Sequence, residues 1–283
     1  MAPKTKTALV TGCSEGGLGW AIAIALQAQG YHVFATLRNM SKAGTQLSSL
    51  ANVEILPLDV TVPESVKTCA AEVAKRTGGS LDVLVNNAGA DFVMPLLDVD
   101  VAEAKALYDL NVWSILSMSQ AFAPQLIKAG GLVCNIISVV AVLNLAYSGI
   151  YTSSKAAASR ISETLRIEMA PLGVKVQTQM VGAVHTPIHV NSGELVLPEK
   201  SYYRQVFDVI SAQRKGDLKA GSQPAAKTAK NIVSDIVNGR TGQNWRGGLA
   251  SAVWFVTSFL PGWLIQYLAS ANSKLDTIPQ PAK

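Results

Sequence analysis

Tyr151 and Lys155 stand four residues apart in YTSSK, a spacing that sets a phenol and an ammonium on one face of a helix. The pair suits proton transfer. A tyrosine ordinarily loses its proton near pH ~10, and neighbouring positive charge favours the phenolate and brings that value down. The phenol can then give a proton to a substrate oxygen, or take one, near neutral pH. Ser138 lies about thirteen residues upstream, where its hydroxyl would hydrogen-bond the same oxygen. Asn111 is an awkward polar residue inside LYDLNVWSIL. Read as structure it is a satisfied helix asparagine; read as function it marks a kink that holds a water linked to Lys155. In a chain with seven tyrosines a Tyr-x-x-x-Lys spacing alone says little, and the company of Ser138 and Asn111 gives it weight.

A second cluster lies near the start of the chain. TGCSEGGLG, Thr11 to Gly19, follows a strand-like run and opens a helix-like one. In that setting Gly12 permits a tight turn. Gly16, Gly17 and Gly19 keep side chains away from a place where a pyrophosphate would approach the backbone, and the free N–H groups of the helix start face it. The plainer alternative is a glycine turn without a ligand. The next strand ends FATLRN, with Arg38 where an NAD-binding chain carries an acidic residue. A guanidinium there would pair with the 2′-phosphate of NADP(H), so the expected cofactor is NADPH rather than NADH. A solvated surface arginine is the competing reading.

These residues need a scaffold. KTALVTG, YHVFATLR, VEILPLDV, LDVLVNNAG, GGLVCNIISVV and VKVQTQMVG read as six short apolar strands. Between them lie helical patterns in LGWAIAIALQAQG and ESVKTCAAEVAKRTG, over 101–129 and over 151–170. Strands alternating with helices of this size predict an α/β, Rossmann-type, doubly wound parallel sheet in a single domain. The composition agrees: 283 residues, 49% hydrophobic and 15% charged, fit a packed core. The net charge of +5 is scattered, with no basic run of five, so no nucleic-acid partner is indicated. Cys13, Cys69 and Cys134 have neither metal-ligand spacing nor an even count, so no metal site is expected. No apolar stretch long enough for a signal peptide opens the chain.

In order, the motifs are TGCSEGGLG, LDV ending at Val60, NNAG at Asn86 to Gly89, Asn111, Ser138, YTSSK, and VGAVHT ending at Thr186. With them the chain resembles the short-chain dehydrogenase/reductase family over about Thr7 to Thr186. The resemblance implies a catalytic set of Asn111, Ser138, Tyr151 and Lys155. It implies a cofactor site of Gly12, Ser14, Gly17, Leu18, Gly19, Arg38, Asp59, Val60, Asn87, Ala88 and Gly89, joined by Asn111, Tyr151, Lys155, Val184 and Thr186. In that scheme Asp59 and Val60 flank the adenine, Asn86, Ala88 and Gly89 stabilise the sheet and line the cofactor, and Val184 and Thr186 meet the carboxamide. Two departures stand out. The family's Pro-Gly after the sixth strand is Val181-Gly182 here, where Gly182 is expected to keep the backbone flexible. The doubled Gly16-Gly17 is similar to a fungal subgroup that includes NADPH-dependent acyl-dihydroxyacetone phosphate reductases.

Beyond Pro187 the pattern loosens, and 187–221, with Tyr202, Tyr203 and Phe207, is the expected substrate lid of a catalytic domain over 1–246. The remainder, 247–283, is an apolar C-terminal segment without charge from Gly247 to Ser273, broken by Pro261-Gly262. A pocket cover or packed helix is its first reading, association with a membrane surface its second and a span its third. The sequence thus predicts an NADPH-dependent reductase of a lipophilic ketone, or the reverse alcohol dehydrogenase. Its substrate would be an acylated dihydroxyacetone phosphate or a secondary-metabolite intermediate. The rival is a biosynthetic enzyme that uses the same groups for cyclisation or isomerisation. The resemblance implies a homodimer or homotetramer through the helices around Asn111 and Tyr151. The expected location is the cytoplasm, with a membrane or lipid-droplet surface as the alternative.

Overall fold

The computed structural model describes residues 5–217 and 221–279, without the side chains of 190–192. Parts of the expected lid (218–220) and of the C-terminal segment (280–283) lie outside the described residues. The strands are β1 Thr7–Thr11, β2 His32–Leu37, β3 Val53–Pro57, β4 Val83–Asn86, β5 Leu132–Ile136, β6 Lys175–Val181, β7 Val184–His185, β8 Gln223–Pro224 and β9 Gly242–Arg246. Seven of them make one parallel sheet in the order β3-β2-β1-β4-β5-β6-β9, and β7 pairs with β8 apart from it. The helices are α1 Leu18–Gln27, α2 Gly44–Ser48, α3 Pro63–Thr77, α4 Val101–Tyr108, α5 Ser114–Ala129, α6 Gly149–Met169, α7 Phe207–Lys215, α8 Ala225–Val237, α9 Ala250–Phe259 and α10 Gly262–Ser270.

Both faces of the sheet are covered, which is why β1, β4 and β5 are buried along their whole length. On one face Ile22 and Leu26 of α1 and Ile232 and Val233 of α8 pack against Ala8, Val10, Val33 and Cys134. On the other, Val66 and Val73 of α3 and Met118, Phe122 and Leu126 of α5 pack against Leu9, Phe34, Leu84 and Val133. Local signals place the helix ends. Pro63 opens α3 with Glu64 in its first turn, and Gly78 closes it in the left-handed conformation at φ 66°. The chain runs from β1 outward to β3, then returns to place β4 on β1's other side. A crevice forms at the carboxyl ends of β1 and β4, where the winding reverses.

Two features differ from the sequence reading. The edge strand β9, GQNWR, is polar and short, so it lacks the apolar run that marked the other six. The C-terminal segment forms two helices on either side of Pro261, but they do not pack as core. Only Ala250 of α9 is buried, and no residue of α10 is. Phe259, Trp263 and Tyr267 are 65%, 72% and 68% exposed. The pair is held at its margins, by Tyr147 Oη donating to Ser273 O at 2.7 Å and Asn144 Nδ2 donating to Gln266 Oε1 at 3.3 Å. α9 also lies against Val139–Val142, the turn that follows Ser138. α9 thus packs on β9 and on that turn through part of its surface, while most apolar side chains of the two helices stay exposed. No described helix is long and apolar enough to cross a membrane.

Candidate active site

Ser138, Tyr151, Lys155 and Asn111 meet at the carboxyl end of β5. Ser138 leaves that strand and caps the turn Val139–Val142, with Val140 N–H donating to its Oγ at 3.3 Å. The serine's own proton is then free to point at the Tyr151 oxygen, to which it hydrogen-bonds. One helical turn on, Lys155 is buried and donates from Nζ to Ile136 O at 3.2 Å. That is the one bond the ammonium makes among the described residues, and an ammonium carries three donors. Asn111 lies in a π-helical turn, Asp109–Trp113, which interrupts the expected single helix between α4 and α5. The turn aims the amide inward. Its Nδ2 donates to Ala90 O at 2.9 Å and Ser154 Oγ at 3.1 Å, and its Oδ1 accepts from Ala90 N at 3.0 Å. Asn111 therefore pins the loop after β4 to α6, the helix that carries Tyr151 and Lys155.

The electrostatics differ from the expectation. Burial dominates, and pushes the Tyr151 phenol up to about 12. The Ser138 hydrogen bond pulls the other way, and the nearby Asp91 charge adds to the rise. Burial also draws Lys155 down from 10.5 to about 8. The ammonium does not make the phenol acidic in the protein alone, because desolvation penalises the charged form of each group.

The glycine loop also works differently from its first reading. A Cβ on Gly19 would lie 2.3 Å from Asn87 Nδ2 and 2.6 Å from Gly12 O. One on Gly17 would lie 2.9 Å from Ser14 O, and one on Gly12, at φ +74°, 3.0 Å from Ala88 Cα. Each of these glycines makes room for neighbouring protein. Asn87 fills the space, donating from Nδ2 to Thr11 O at 2.8 Å and Gly12 O at 3.2 Å. Thr11 Oγ1 returns the tie by accepting from Asn87 N and Ala88 N, both at 2.9 Å. Only Gly16, also at φ +74°, keeps an open face, with the Pro187 ring 3.9 Å from a built Cβ. The extra glycine of Gly16-Gly17 is thus the one that leaves backbone uncovered. Ser14 and Leu18 are in place around it, and α1 begins at Leu18 with no side-chain cap and no acidic residue in its first turn.

A groove of about 480 Å³ extends from Arg38 and Thr61 past Ala90 to Asp91 and Arg214. Arg38 is exposed and has no ion pair among the described residues. Burial resists charge on Asp59, but hydrogen bonds from Thr61 and the Arg38 charge outweigh it and hold the carboxyl below its usual range. Val60 is buried in the core beside it. Gly89 is close-packed, a Cβ there meeting Asn111 Oδ1 at 3.0 Å and Lys155 Nζ at 3.5 Å. Across the site, Val184 is buried in β7 and Thr186 opens the turn Pro187–Ser192. Gly182 serves space and not flexibility, since a Cβ there would lie 2.0 Å from Gly248 O. Within 187–221, Tyr203 stacks edge-on against Tyr147 at 6.2 Å while Tyr202 and Phe207 are exposed. The sequence reading missed Thr11, which is buried, Asp91, and His189, which pairs with Asp91. The signal for Asp91 was there: a charge directly after NNAGA in an otherwise apolar run. No described group of His, Cys, Asp or Glu is arranged to hold a metal, and Cys13, Cys69 and Cys134 are buried free thiols.

The family model for short chain dehydrogenases matches residues 6–195. This chain is a short-chain dehydrogenase. The short-chain dehydrogenase cctT of Talaromyces islandicus is 48% identical over 275 residues, covering 96% of this chain and 97% of its own length. The NADPH-dependent 1-acyldihydroxyacetone phosphate reductase of Schizosaccharomyces pombe is 41% identical over 219 residues, 74% of this chain and 71% of that one. A solved short-chain dehydrogenase from Streptomyces avermitilis superposes with a TM-score of 0.77 at 30% identity, covering 97% of this chain and 98% of its own. As a short-chain dehydrogenase, the chain belongs to an oxidoreductase family that uses nicotinamide cofactors.

Proposed function

We propose that this short-chain dehydrogenase is an NADPH-dependent reductase of a lipophilic ketone. The observation that carries the reading is the cluster at the end of β5, where Lys155 donates to Ile136 O and the Tyr151 hydroxyl, protonated at neutral pH as phenols are, hydrogen-bonds to Ser138. That is the state a proton donor needs. Ser138 and Tyr151 would both hydrogen-bond the substrate oxygen, and Tyr151 would give its proton to that oxygen as it gains charge. The bound dinucleotide supplies the hydride. Lys155, with donors to spare in a buried site, would hold ribose hydroxyls and lend positive charge as the phenol loses its proton. Asn111 would keep α6 and the Ala90 loop in register during that transfer.

The residues present fit a dinucleotide. Gly16 leaves backbone open beside an uncapped helix start, and a separate groove is lined by Arg38, Thr61 and Ala90. Gly12, Ser14, Gly17, Leu18 and Gly19 would shape the phosphate end, Arg38 with Asp59 and Val60 the adenosine end. Ala88, Gly89, Val184 and Thr186 would line the middle, and Asn87 would act through the loop it braces. The unpaired guanidinium of Arg38 favours a 2′-phosphate, in keeping with the NADPH-dependent relative. The exposed aromatic helices α9 and α10, the first of them set beside the turn that follows Ser138, favour a lipophilic substrate and an enzyme held at a lipid surface. An acylated dihydroxyacetone phosphate or a secondary-metabolite ketone satisfies that description. Exposed Trp113 and Ile167, on the helices of Asn111 and Tyr151, favour a homo-oligomer built on those helices. Following NADPH absorbance against a panel of long-chain ketones tests the reading. Oxidation of the cofactor is expected, and binding without oxidation would contradict it.

A further inference from the structure

The turn Pro187–Ser192 follows Thr186 and does not lie loose on the surface. At its start the Pro187 ring rests over the glycine loop, 3.9 Å from a Cβ built on Gly16. Two residues on, His189 Nδ1 pairs with Asp91 Oδ2 on the loop after β4. The two side chains are only 15% and 7% exposed, so the pair is largely withdrawn from water. Gly216 stands behind the imidazole at φ +81°, where a Cβ would lie 2.5 Å from His189 Cδ2. The far end is fastened independently. Arg214 donates from Nε to Gly193 O at 3.1 Å and from Nη1 to Val93 O at 3.0 Å. The loop after β4 thus meets the segment at His189 directly and at Gly193 through Arg214, while Pro187 leans on the glycine loop. Asp91 and Arg214, these same anchors, line the groove together with Arg38 and Thr61.

We infer that the His189–Asp91 pair is the clasp of a strap, Pro187–Ser192, that closes across the dinucleotide groove and governs how long the cofactor stays bound. The inference rests on the family's nicotinamide cofactor and on nothing about the substrate. A dinucleotide lying in the groove leaves when the strap lifts, and lifting separates His189 from Asp91. Removing one partner of a mostly buried polar contact leaves the other without it, and such losses appear chiefly in dissociation rates. Both are positioning residues. Neither is required to touch the reacting atoms.

The test measures release of NADPH from preloaded protein by stopped-flow fluorescence, without turnover. It is joined to hydrogen–deuterium exchange over 187–193 in the ligand-free protein. His189→Gln and Asp91→Asn are each expected to speed release on the order of 30-fold. The double variant should be no faster than the faster single, because both open one clasp. Exchange over 187–193 should rise in each ligand-free variant. Variants that bind NADPH and release it at the wild-type rate would overturn the clasp while leaving the cofactor reading intact. A wild-type protein that binds no dinucleotide would overturn both.

Discussion

Replacing Lys155 by Met should make the ligand-free protein more stable while abolishing turnover. Burial draws this lysine from 10.5 to about 8, so its charged form is penalised in the fold. At about 1.4 kcal/mol per pH unit, that penalty is roughly 3 kcal/mol at neutral pH. Losing the bond to Ile136 O gives back about 1 kcal/mol, which leaves a net gain of about 2 kcal/mol for a methionine of similar length. The pH dependence supplies the sharper check. The folded value lies below the unfolded one, so the unfolded chain binds more protons between about 8 and 10.5. The lysine's penalty therefore fades as pH rises through that window. The variant's advantage should shrink by about 2 kcal/mol between about pH 7 and about pH 9.5 in urea denaturation. The buried thiols, whose raised values weaken the fold in alkali, are common to both proteins and cancel in the difference. A variant less stable than wild type at neutral pH, or an advantage constant with pH, would refute the reasoning.

Other outcomes follow from the same contacts. Arg38→Ala should weaken NADPH binding by about 2 kcal/mol with little effect on NADH, read by titration of the two dinucleotides. Gly19→Ala should lower stability by about 3 kcal/mol or prevent folding, because its Cβ would lie 2.3 Å from Asn87 Nδ2; denaturation of the ligand-free protein checks this. Trp263→Glu with Tyr267→Glu should leave stability within about 0.5 kcal/mol, since both side chains are exposed, and should abolish co-flotation with phospholipid vesicles.

Most of the fold was legible because buried parallel strands are written largely as apolar runs, β6 alone among the six predicted ones carrying buried Gln177, Thr178 and Gln179 between its valines. β9 escaped because an edge strand with a Gln, an Asn and an Arg carries no such pattern. The cluster of Ser138, Tyr151 and Lys155 was legible from spacing, since a helix converts four residues into one turn. What each glycine excludes was not. Gly19 faces Asn87 across a separation that only the folded chain closes, and Gly182 faces Gly248 in the same way. The rise of the Tyr151 pKa in the protein alone was hidden for a related reason: sequence displays the neighbouring ammonium but not how deeply the phenol is buried. His189 and Asp91 belong to segments far apart in the sequence, and no local pattern announces their pairing.

The central claim is that Tyr151 gives the proton to a ketone oxygen. Single-turnover oxidation of NADPH, with wild type and Tyr151→Phe compared on one reactive ketone, tests it most directly. The account expects the phenylalanine variant to bind NADPH as tightly as wild type and to react at least about 100-fold more slowly. Full-speed turnover by that variant would contradict it.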